Sequence, residues 1–556
     1  MEFRKESGGG AGVLHRSQSL CPLCKKPVPA VYREENGRVF FVKECPDHGT
    51  FKTIAAEDAE LYKSWTARPV VNIPPKRAQT EGDPRDLECP LHCGVCENHL
   101  QTACCVLIDI TDRCNQRCPY CFAKAEKDAD RSGEPSLQEL ERKFDLLLEL
   151  GEERPFNIQL SGGEPTVRED LPRIIALARD KGFEYVQINT NGRKLATEAG
   201  YAEELKAAGA SVIFMQFDGT RDDIYRRLRG EPLLALKKRA VENCEAAGLP
   251  VTLVPTVVQG VNDDNLGNML DFVVRHVNVV KGIHFQPVSF FGRHPEQVEP
   301  GDSPGAGAPW DSGDSQPVVP REDLSEAAPE GGPRPVYSGD FPGRITMFDL
   351  LEKLSAQRPA IRYEDFCPIS TGHTLCCFYS TYAREPDGSI RCMLAGEEKE
   401  AGVSCCDAAG GTGCCDSSGD CGEPAQPPQA IGCCDVRSPE ALDVIKKDRD
   451  FVLNRWEIGP SAGTPAGMET ERACGGERRR EDEEPGCDEF PPAEDGLMDM
   501  DQFLRYYRQN TFTVTGMAFQ DAMNLDAERL KRCRVQVLSE DDRLIPFCAY
   551  NTLYRK

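Results

Sequence analysis

Residues 109–122 place Cys114, Cys118 and Cys121 in a C-x3-C-x2-C spacing. Three thiolates can bind three irons of a cubic [4Fe–4S] cluster and leave the fourth iron without a protein ligand. An open iron is a place for a cofactor to bind, whereas a closed four-cysteine site stores or relays electrons. A structural zinc takes four ligands, commonly at paired C-x2-C spacing, which makes a zinc fragment the weaker reading. About forty residues on, an alternating run over 157–161 leads into Gly162, Gly163, Glu164 and Pro165. Two adjacent glycines let backbone groups approach a ligand closely. Glu164 adds a carboxylate that can hold an ammonium group.

Other cysteines fall in separate clusters. Cys21-Pro-Leu-Cys24 faces Cys45-Pro-Asp-His48 across a hairpin around Asn36-Gly37, the spacing of a zinc-ribbon or rubredoxin-like site. Three thiolates and His48 suit zinc, and a further thiolate from elsewhere would suit a mononuclear iron. Cys89, Cys93 and Cys96 repeat the C-x3-C-x2-C spacing with Cys104 and Cys105 close by. Cys104 is the choice for a fourth ligand of a closed auxiliary [4Fe–4S] cluster. Cys105 begins a strand and reads as core. Farther along, Cys376, Cys533 and Cys548, with Cys367 or Cys392, could close a second auxiliary cluster. The tract holding Cys405, Cys414, Cys421 and Cys433 is embedded in Gly, Ser and Pro and reads as an insertion, with soft-metal capture as the alternative.

Six strand-like runs, at 106–110, 157–161, 185–190, 212–217, 251–257 and 282–286, alternate with helical patterns at 137–150, 171–181, 203–208, 233–247 and 266–276. Ser136 and Glu139 form a capping box before the first helix. This βα alternation predicts a parallel sheet, and six units predict a partial (β/α)6 barrel. Ligands in such sheets bind at the C-terminal strand ends. Both motifs of the opening paragraph lie there, as do Asn189 and Asn191 after the third strand and Asp218 after the fourth. These polar groups could touch a bound cofactor, although Asn191-Gly192 and Asp218-Gly219 are also ordinary turn formers.

The chain divides accordingly. Residues 1–20 read as a flexible N-terminus, 21–75 as the ribbon module, 86–105 as the auxiliary-cluster segment and 106–294 as the barrel. Residues 295–340 form a disordered insertion and 341–400 the first part of a C-terminal region. A Cys-rich low-complexity insertion over 401–440, a disordered insertion over 458–497 and a C-terminal auxiliary-cluster region over 498–556 follow. The chain has 66 Lys and Arg against 91 Asp and Glu, a net charge of −25, which argues against nucleic acid as a substrate. There is no apolar run long enough for a transmembrane segment and no secretory signal, so 27 clustered cysteines read as metal ligation in a reducing cytoplasm.

Together these motifs resemble the radical S-adenosylmethionine (SAM) superfamily, in the branch containing archaeal tetraether lipid synthase and the 6-hydroxymethyl-7,8-dihydropterin methylase. The N-terminal Cys-Pro-x-x-Cys and Cys-Pro-x-His-Gly pair carries the likeness, with the Cys89 to Cys104 group running into the core. So do Thr515-Gly-Met-Ala-Phe-Gln-Asp521 and the stretch from Leu530 through Cys533 to Cys548 and Asn551. One departure is Thr371 in Thr371-Gly-His373-Thr-Leu-Cys376, where the family carries a thiolate; Cys367 is the candidate substitute.

The resemblance implies a cluster on Cys114, Cys118 and Cys121 that cleaves SAM held against Gly162, Gly163, Glu164 and Pro165, giving a radical that attacks an unactivated carbon. It implies either carbon–carbon coupling of lipid tails or transfer of a methyl group to a dihydropterin, with the lipid reading placed first. An apolar tunnel in the barrel would suit the lipid; a lumen of polar hydrogen-bonders would suit the pterin. Implied partners are a low-potential donor such as ferredoxin or flavodoxin and a small-molecule or lipid substrate, the latter with peripheral membrane contact. The rival class is a non-catalytic iron–sulfur protein that transfers electrons or carries metal.

Overall fold

The computed structural model describes residues 12–80, 89–125, 131–151, 156–295, 336–338, 341–369, 371–393 and 509–555. The insertions expected over 401–440 and 458–497, with the Cys405 to Cys433 tract, lie outside the described residues.

The N-terminal module is an antiparallel meander of β1 (Val13–Leu20), β2 (Pro27–Glu35), β3 (Arg38–Cys45) and β4 (Gly49–Ala56). Asn36 and Gly37 both take positive φ, 53° and 78°, as the tight hairpin turn between β2 and β3 requires. Helix α1 (Ala59–Thr66) is N-capped by Asp58, which accepts from the amides of Glu60 and Leu61. Its Tyr62 and Trp65 are buried with Tyr32, Val39 and Phe41 of the sheet. The expectation of a flexible 1–20 is corrected from Val13 onward. The polar run His15-Arg16-Ser17-Gln18 hides a strand whose partner is β2 rather than the core, so its ladder shows no apolar alternation.

The barrel follows as β5 (Cys105–Thr111), α2 (Leu137–Leu150), β6 (Asn157–Gly162), α3 (Leu171–Asp180), β7 (Val186–Thr190), α4 (Arg193–Thr197), α5 (Tyr201–Ala207) and β8 (Val212–Gln216). It continues with α6 (Asp222–Arg229), α7 (Leu234–Ala247), β9 (Val251–Val254), β10 (Thr256–Val257), α8 (Leu266–Arg275) and β11 (Val280–Pro287). Strands β5, β6, β7, β8, β9 and β11 pair in that order, all parallel, which is the expected six-stranded barrel sheet. Val106, Ile108 and Ile110 of β5 and Ile158 and Leu160 of β6 are buried with Leu140, Phe144 and Leu147 of α2. The alternate residues therefore face the barrel interior.

The remaining elements are β12 (Val336–Ser338), α9 (Met347–Gln357), β13 (Cys377–Arg384), β14 (Ile390–Cys392), β15 (Thr511–Met517), β16 (Val535–Leu538) and β17 (Leu544–Pro546). Strand β12 pairs with β4, so these three residues of the expected 295–340 insertion belong to the ribbon sheet. The C-terminal region clasps the barrel from both sides. Strand β15 extends it beyond β11, with β13 and β14 outside, and β16 extends it beyond β5, with β17 outside. Among the described residues no helix is long and apolar enough to cross a membrane.

Candidate functional site at the barrel mouth

The glycine loop and the cysteine loop are built against each other. Gly163 N donates to Thr111 O at 2.7 Å and Glu164 N to Arg113 O at 2.8 Å. A Cβ on Gly162, at φ +126°, would strike Thr111 O, and one on Gly163 would strike Arg113 O. These glycines therefore allow the close approach of two backbone segments.

The Glu164 side chain is buried and accepts from Thr166 N (3.1 Å), Thr166 Oγ1 (2.6 Å), Thr190 Oγ1 (2.6 Å) and Asn191 N (2.6 Å). Three of these donors converge on Oε1 and only Asn191 N reaches Oε2, so Oε2 keeps one lone-pair direction open. Glu164 thus ties the loop after β6 to the loop after β7.

Asn191 is held in the same knot. Its Nδ2 donates to Asn115 Oδ1 at 2.7 Å, inside the cysteine loop, and its Oδ1 accepts from Arg193 N at 2.9 Å. Asp218 is buried and its carboxylate takes two charged bonds from Arg229, Nε and Nη2 both at 2.7 Å. Arg229 Nη1 then donates to Tyr120 O at 2.8 Å, directly before Cys121. The sequence placed Asp218 near a cofactor; its contacts here are with the scaffold of the cysteine loop. Cys121 completes that scaffold, exchanging backbone bonds with Arg293 at 2.9 and 2.8 Å.

Two cations at this site carried no sequence signal. Arg229 lies beside Cys118 and Cys121 and is held protonated by Asp218 despite its burial. Lys237 on α7 is buried, donates to Asn191 O and Gln216 Oε1 at 2.6 Å each, and has its pKa lowered to about 7 by desolvation. Burial also pushes the Cys114 thiol up to about 12, with the Glu164 charge adding to it. A thiolate set beside Arg229 and Lys237 suits an iron–sulfur cluster, whose bound thiolates need compensating positive charge.

The interior of the barrel joins a polar ladder to an aromatic cluster. Tyr185 OH donates to Gln187 Oε1 (3.4 Å), Gln187 Nε2 to Asn189 Oδ1 (2.7 Å), Asn189 Nδ2 to Gln159 Oε1 (3.2 Å) and Gln159 Nε2 to Cys105 Sγ (2.7 Å). Asn189 is in register with Phe214, and Phe214 with Thr252. His284 bonds Thr515 Oγ1 through Nδ1 at 2.9 Å and stands 5.4 Å from the Phe214 ring. At the Cys105 end of this ladder, Cys105, Leu107, Val537 and Phe547 pack with Phe291 and Phe519.

In the ribbon, the ligand atoms of Cys21, Cys24, Cys45 and His48 all lie within 4.8 Å of one another. Cys21 Sγ and Cys45 Sγ are 3.6 and 3.4 Å from His48 Nδ1. Three sulfurs and one nitrogen gathered around a single point fit zinc and also fit a mononuclear iron. Buried Lys43 donates to Leu20 O at 2.9 Å and to Ala522 O at 2.7 Å, pinning the module to the C-terminal region.

The auxiliary cysteines sort less simply. Desolvation pushes the Cys93 thiol up to about 12, and the charge of Cys96 adds to it; the Cys93 amide donates to Tyr554 OH at 2.9 Å. The amide and thiol of Cys104 both point to Arg534 O, at 3.0 and 3.6 Å, beside Cys533. Burial raises the Cys533 thiol, and Cys548 and Cys376 are its strongest charged neighbours. Thr371 is buried and its Oγ1 accepts from Arg534 Nη1. Cys367 is bridged by backbone to Tyr379 in mid β13. The trio Cys376, Cys533 and Cys548 is thus brought together.

A sequence model of the radical SAM superfamily matches residues 108–273, the stretch carrying both loops. The chain is 32% identical over 553 residues, 97% of its own length and 94% of the relative's, to a 7,8-dihydro-6-hydroxymethylpterin dimethyltransferase of Methanocaldococcus jannaschii. The chain belongs to the radical SAM superfamily, in the family of that relative. A model of the HMPTM N-terminal zinc ribbon domain matches residues 13–57 of this radical SAM protein, β1 through β4. Shorter matches reach an Fe-coproporphyrin III synthase of Methanosarcina barkeri, 39% identical over 27% of this chain and 36% of that one. A GTP 3′,8-cyclase of Syntrophomonas wolfei is 32% identical over 33% of this chain and 55% of its own. The radical SAM protein is therefore an enzyme that uses SAM and [4Fe–4S] chemistry, with a zinc- or iron-type ribbon ahead of its barrel.

Proposed function

We propose that this radical SAM enzyme is a C-methyltransferase acting on a reduced pterin. The observation that carries the reading is the barrel interior, where Gln159, Gln187 and Asn189 form an amide ladder ending at an aromatic cluster. Each amide has two donors and two acceptor positions, and the ladder uses one of each. What remains matches the alternating donors and acceptors of a flat heterocycle, and the aromatic cluster matches its faces. A lipid tail would leave the remaining amide donors and acceptors without partners, a cost of about 1–3 kcal/mol for a buried group such as that of Gln187. Lipid-tail coupling has no support beyond the family likeness, whereas the near full-length relative is named for a pterin.

In this reading Cys114, Cys118 and Cys121 would hold the cluster, which when bound and reduced would supply the electron for reductive cleavage of SAM. Glu164 and Asn191 fix the relation between the glycine loop and the cysteine loop. Arg229, set by Asp218, holds the Tyr120 carbonyl and balances thiolate charge. Cys89, Cys93 and Cys96 would hold one auxiliary cluster and Cys376, Cys533 and Cys548 a second, with Cys104 within reach of the second through Arg534. A low-potential donor of the ferredoxin or flavodoxin kind supplies the electron in the cytoplasm.

The test is an anaerobic assay of cluster-loaded protein with reductant and SAM, quantifying 5′-deoxyadenosine beside a variant with all three cysteines changed to Ala. Stimulation of 5′-deoxyadenosine formation by 7,8-dihydro-6-hydroxymethylpterin is the expected result. Stimulation by phospholipid instead would overturn the substrate assignment.

A further inference from the structure

Buried polar atoms in folded chains nearly always have a partner. On the barrel strands Asp109 Oδ1, Asn157 Nδ2 and Thr252 Oγ1 are buried without one. Asp109 is the one nearest the mouth. It alternates with Cys105 and Leu107 on the interior face of β5 and pairs in register with Ser161, next to the glycine loop. Its other oxygen, Oδ2, accepts from Arg555 Nη2 at 2.7 Å. The Arg555 guanidinium lies 5.5 Å from the Phe122 ring and 5.1 Å from the Tyr550 ring. With Phe122, Phe291 and Asn551 it lines a cavity of about 150 Å³.

A planar cation beside two aromatic rings, joined by one nitrogen to a carboxylate, occupies a distinctive kind of place. The 2-amino-4-oxopyrimidine edge of a pterin is also planar, and offers two parallel N–H donors from the ring nitrogen and the amino group. Such an edge satisfies both oxygens of a carboxylate at once, as a forked guanidinium does. Arg555 reaches only Oδ2, which is why Oδ1 is left over. Resting on the pterin reading, we propose that Asp109 is the specificity residue that reads the amino-pyrimidinone edge of the substrate. Arg555 is the internal stand-in that holds this place until the substrate displaces it.

The exchange keeps the Asp109 carboxylate hydrogen-bonded at every stage. It also makes entry of substrate release the segment around Tyr550 and Arg555 from the barrel mouth. Discrimination follows from chemistry: a ring without the 2-amino group leaves one carboxylate oxygen buried and unpaired, the kind of loss that hydrogen-bonding sites reject strongly.

The experiment measures binding of 7,8-dihydro-6-hydroxymethylpterin, and of its analogue lacking the 2-amino group, to the cluster-loaded full chain under anaerobic conditions. Wild type, Asp109→Asn and Arg555→Ala are compared, each with a thermal melt. Expected are a Kd about tenfold or more weaker for Asp109→Asn and severalfold tighter for Arg555→Ala. The analogue should bind wild type weakly and respond little to Asp109→Asn. Wild-type binding with no change in Asp109→Asn would overturn the assignment and leave the pterin reading standing. No wild-type binding would remove that reading and the inference with it. If Asp109→Asn melts far below wild type, Arg555→Ala decides: weaker pterin binding there means the pair is structural and the proposal fails.

Discussion

In the ribbon, four ligand atoms from two short knuckles lie within 4.8 Å of one another, and little else than the hairpin strands holds them there. At the barrel mouth, three thiolates share one loop whose shape is set by residues that ligate nothing: Glu164, Asn191, Asp218 and Arg229. The ribbon's geometry depends on the metal it would bind. The mouth is preorganised by buried hydrogen bonds, so its iron chemistry depends on the scaffold. The two regions should therefore fail differently.

The largest effect is expected from Asp218→Ala, which strands the buried Arg229 guanidinium and frees the Tyr120 carbonyl. Breaking such a pair costs about 3–5 kcal/mol, and thermal melting with iron analysis should show lower stability and poor cluster loading. A variant that loads iron normally would show that the scaffold is dispensable. Next comes Glu164→Ala, for a loss of about 3 kcal/mol in total, since the stranded Thr166 and Asn191 amides cost about 1–3 kcal/mol each and the two threonine hydroxyls can turn to other acceptors. SAM binding by equilibrium dialysis should weaken. Glu164→Gln should recover part of it, because one oxygen is kept.

His48→Ala should act only on the ribbon. It should release the ribbon's metal, seen by elemental analysis, while 5′-deoxyadenosine formation stays within about twofold of wild type. Loss of all SAM cleavage in that variant would show that the ribbon supports the mouth, through Lys43 and Ala522, far more than the comparison allows. The smallest effect is expected at Gly37→Ala. With φ at 78° and nothing near the added methyl, it should cost about 1 kcal/mol and leave metal content unchanged.

Much of this was legible before any coordinates. The six barrel strands were visible because their apolar alternation has period two, and α2 because Ser136 and Glu139 mark its start. The ribbon ligands were visible because a single ion forces close sequence spacing on its donors. Helix α6 was missed because its Arg-rich face, with Arg226, Arg227 and Arg229, masks the buried Ile224, Tyr225 and Leu228. The scaffold role of Glu164 gave no signal, because a carboxylate beside two glycines looks the same whether or not it also ties two loops together. Lys237 and Arg229 gave no signal at all, since nothing in a sequence distinguishes a buried basic residue on a helix from an exposed one. The meeting of Cys376, Cys533 and Cys548 was anticipated only as a set of remaining thiols, because the chain between them carries no periodic pattern.

The clasp of the barrel by β15 and β16 bears on how the molecule is made. Strands β5 and β11 are sheet edges until residues 511–538 arrive, and the contact of Cys104 with Arg534 spans 430 residues. A nascent barrel must wait with both flanks open, and such flanks are templates for pairing with other chains. Synthesis of the 511–555 segment thus converts an aggregation-prone intermediate into a sealed one. A ribosome stalled before that point should yield protein that is insoluble even though its entire SAM-matching stretch has been translated.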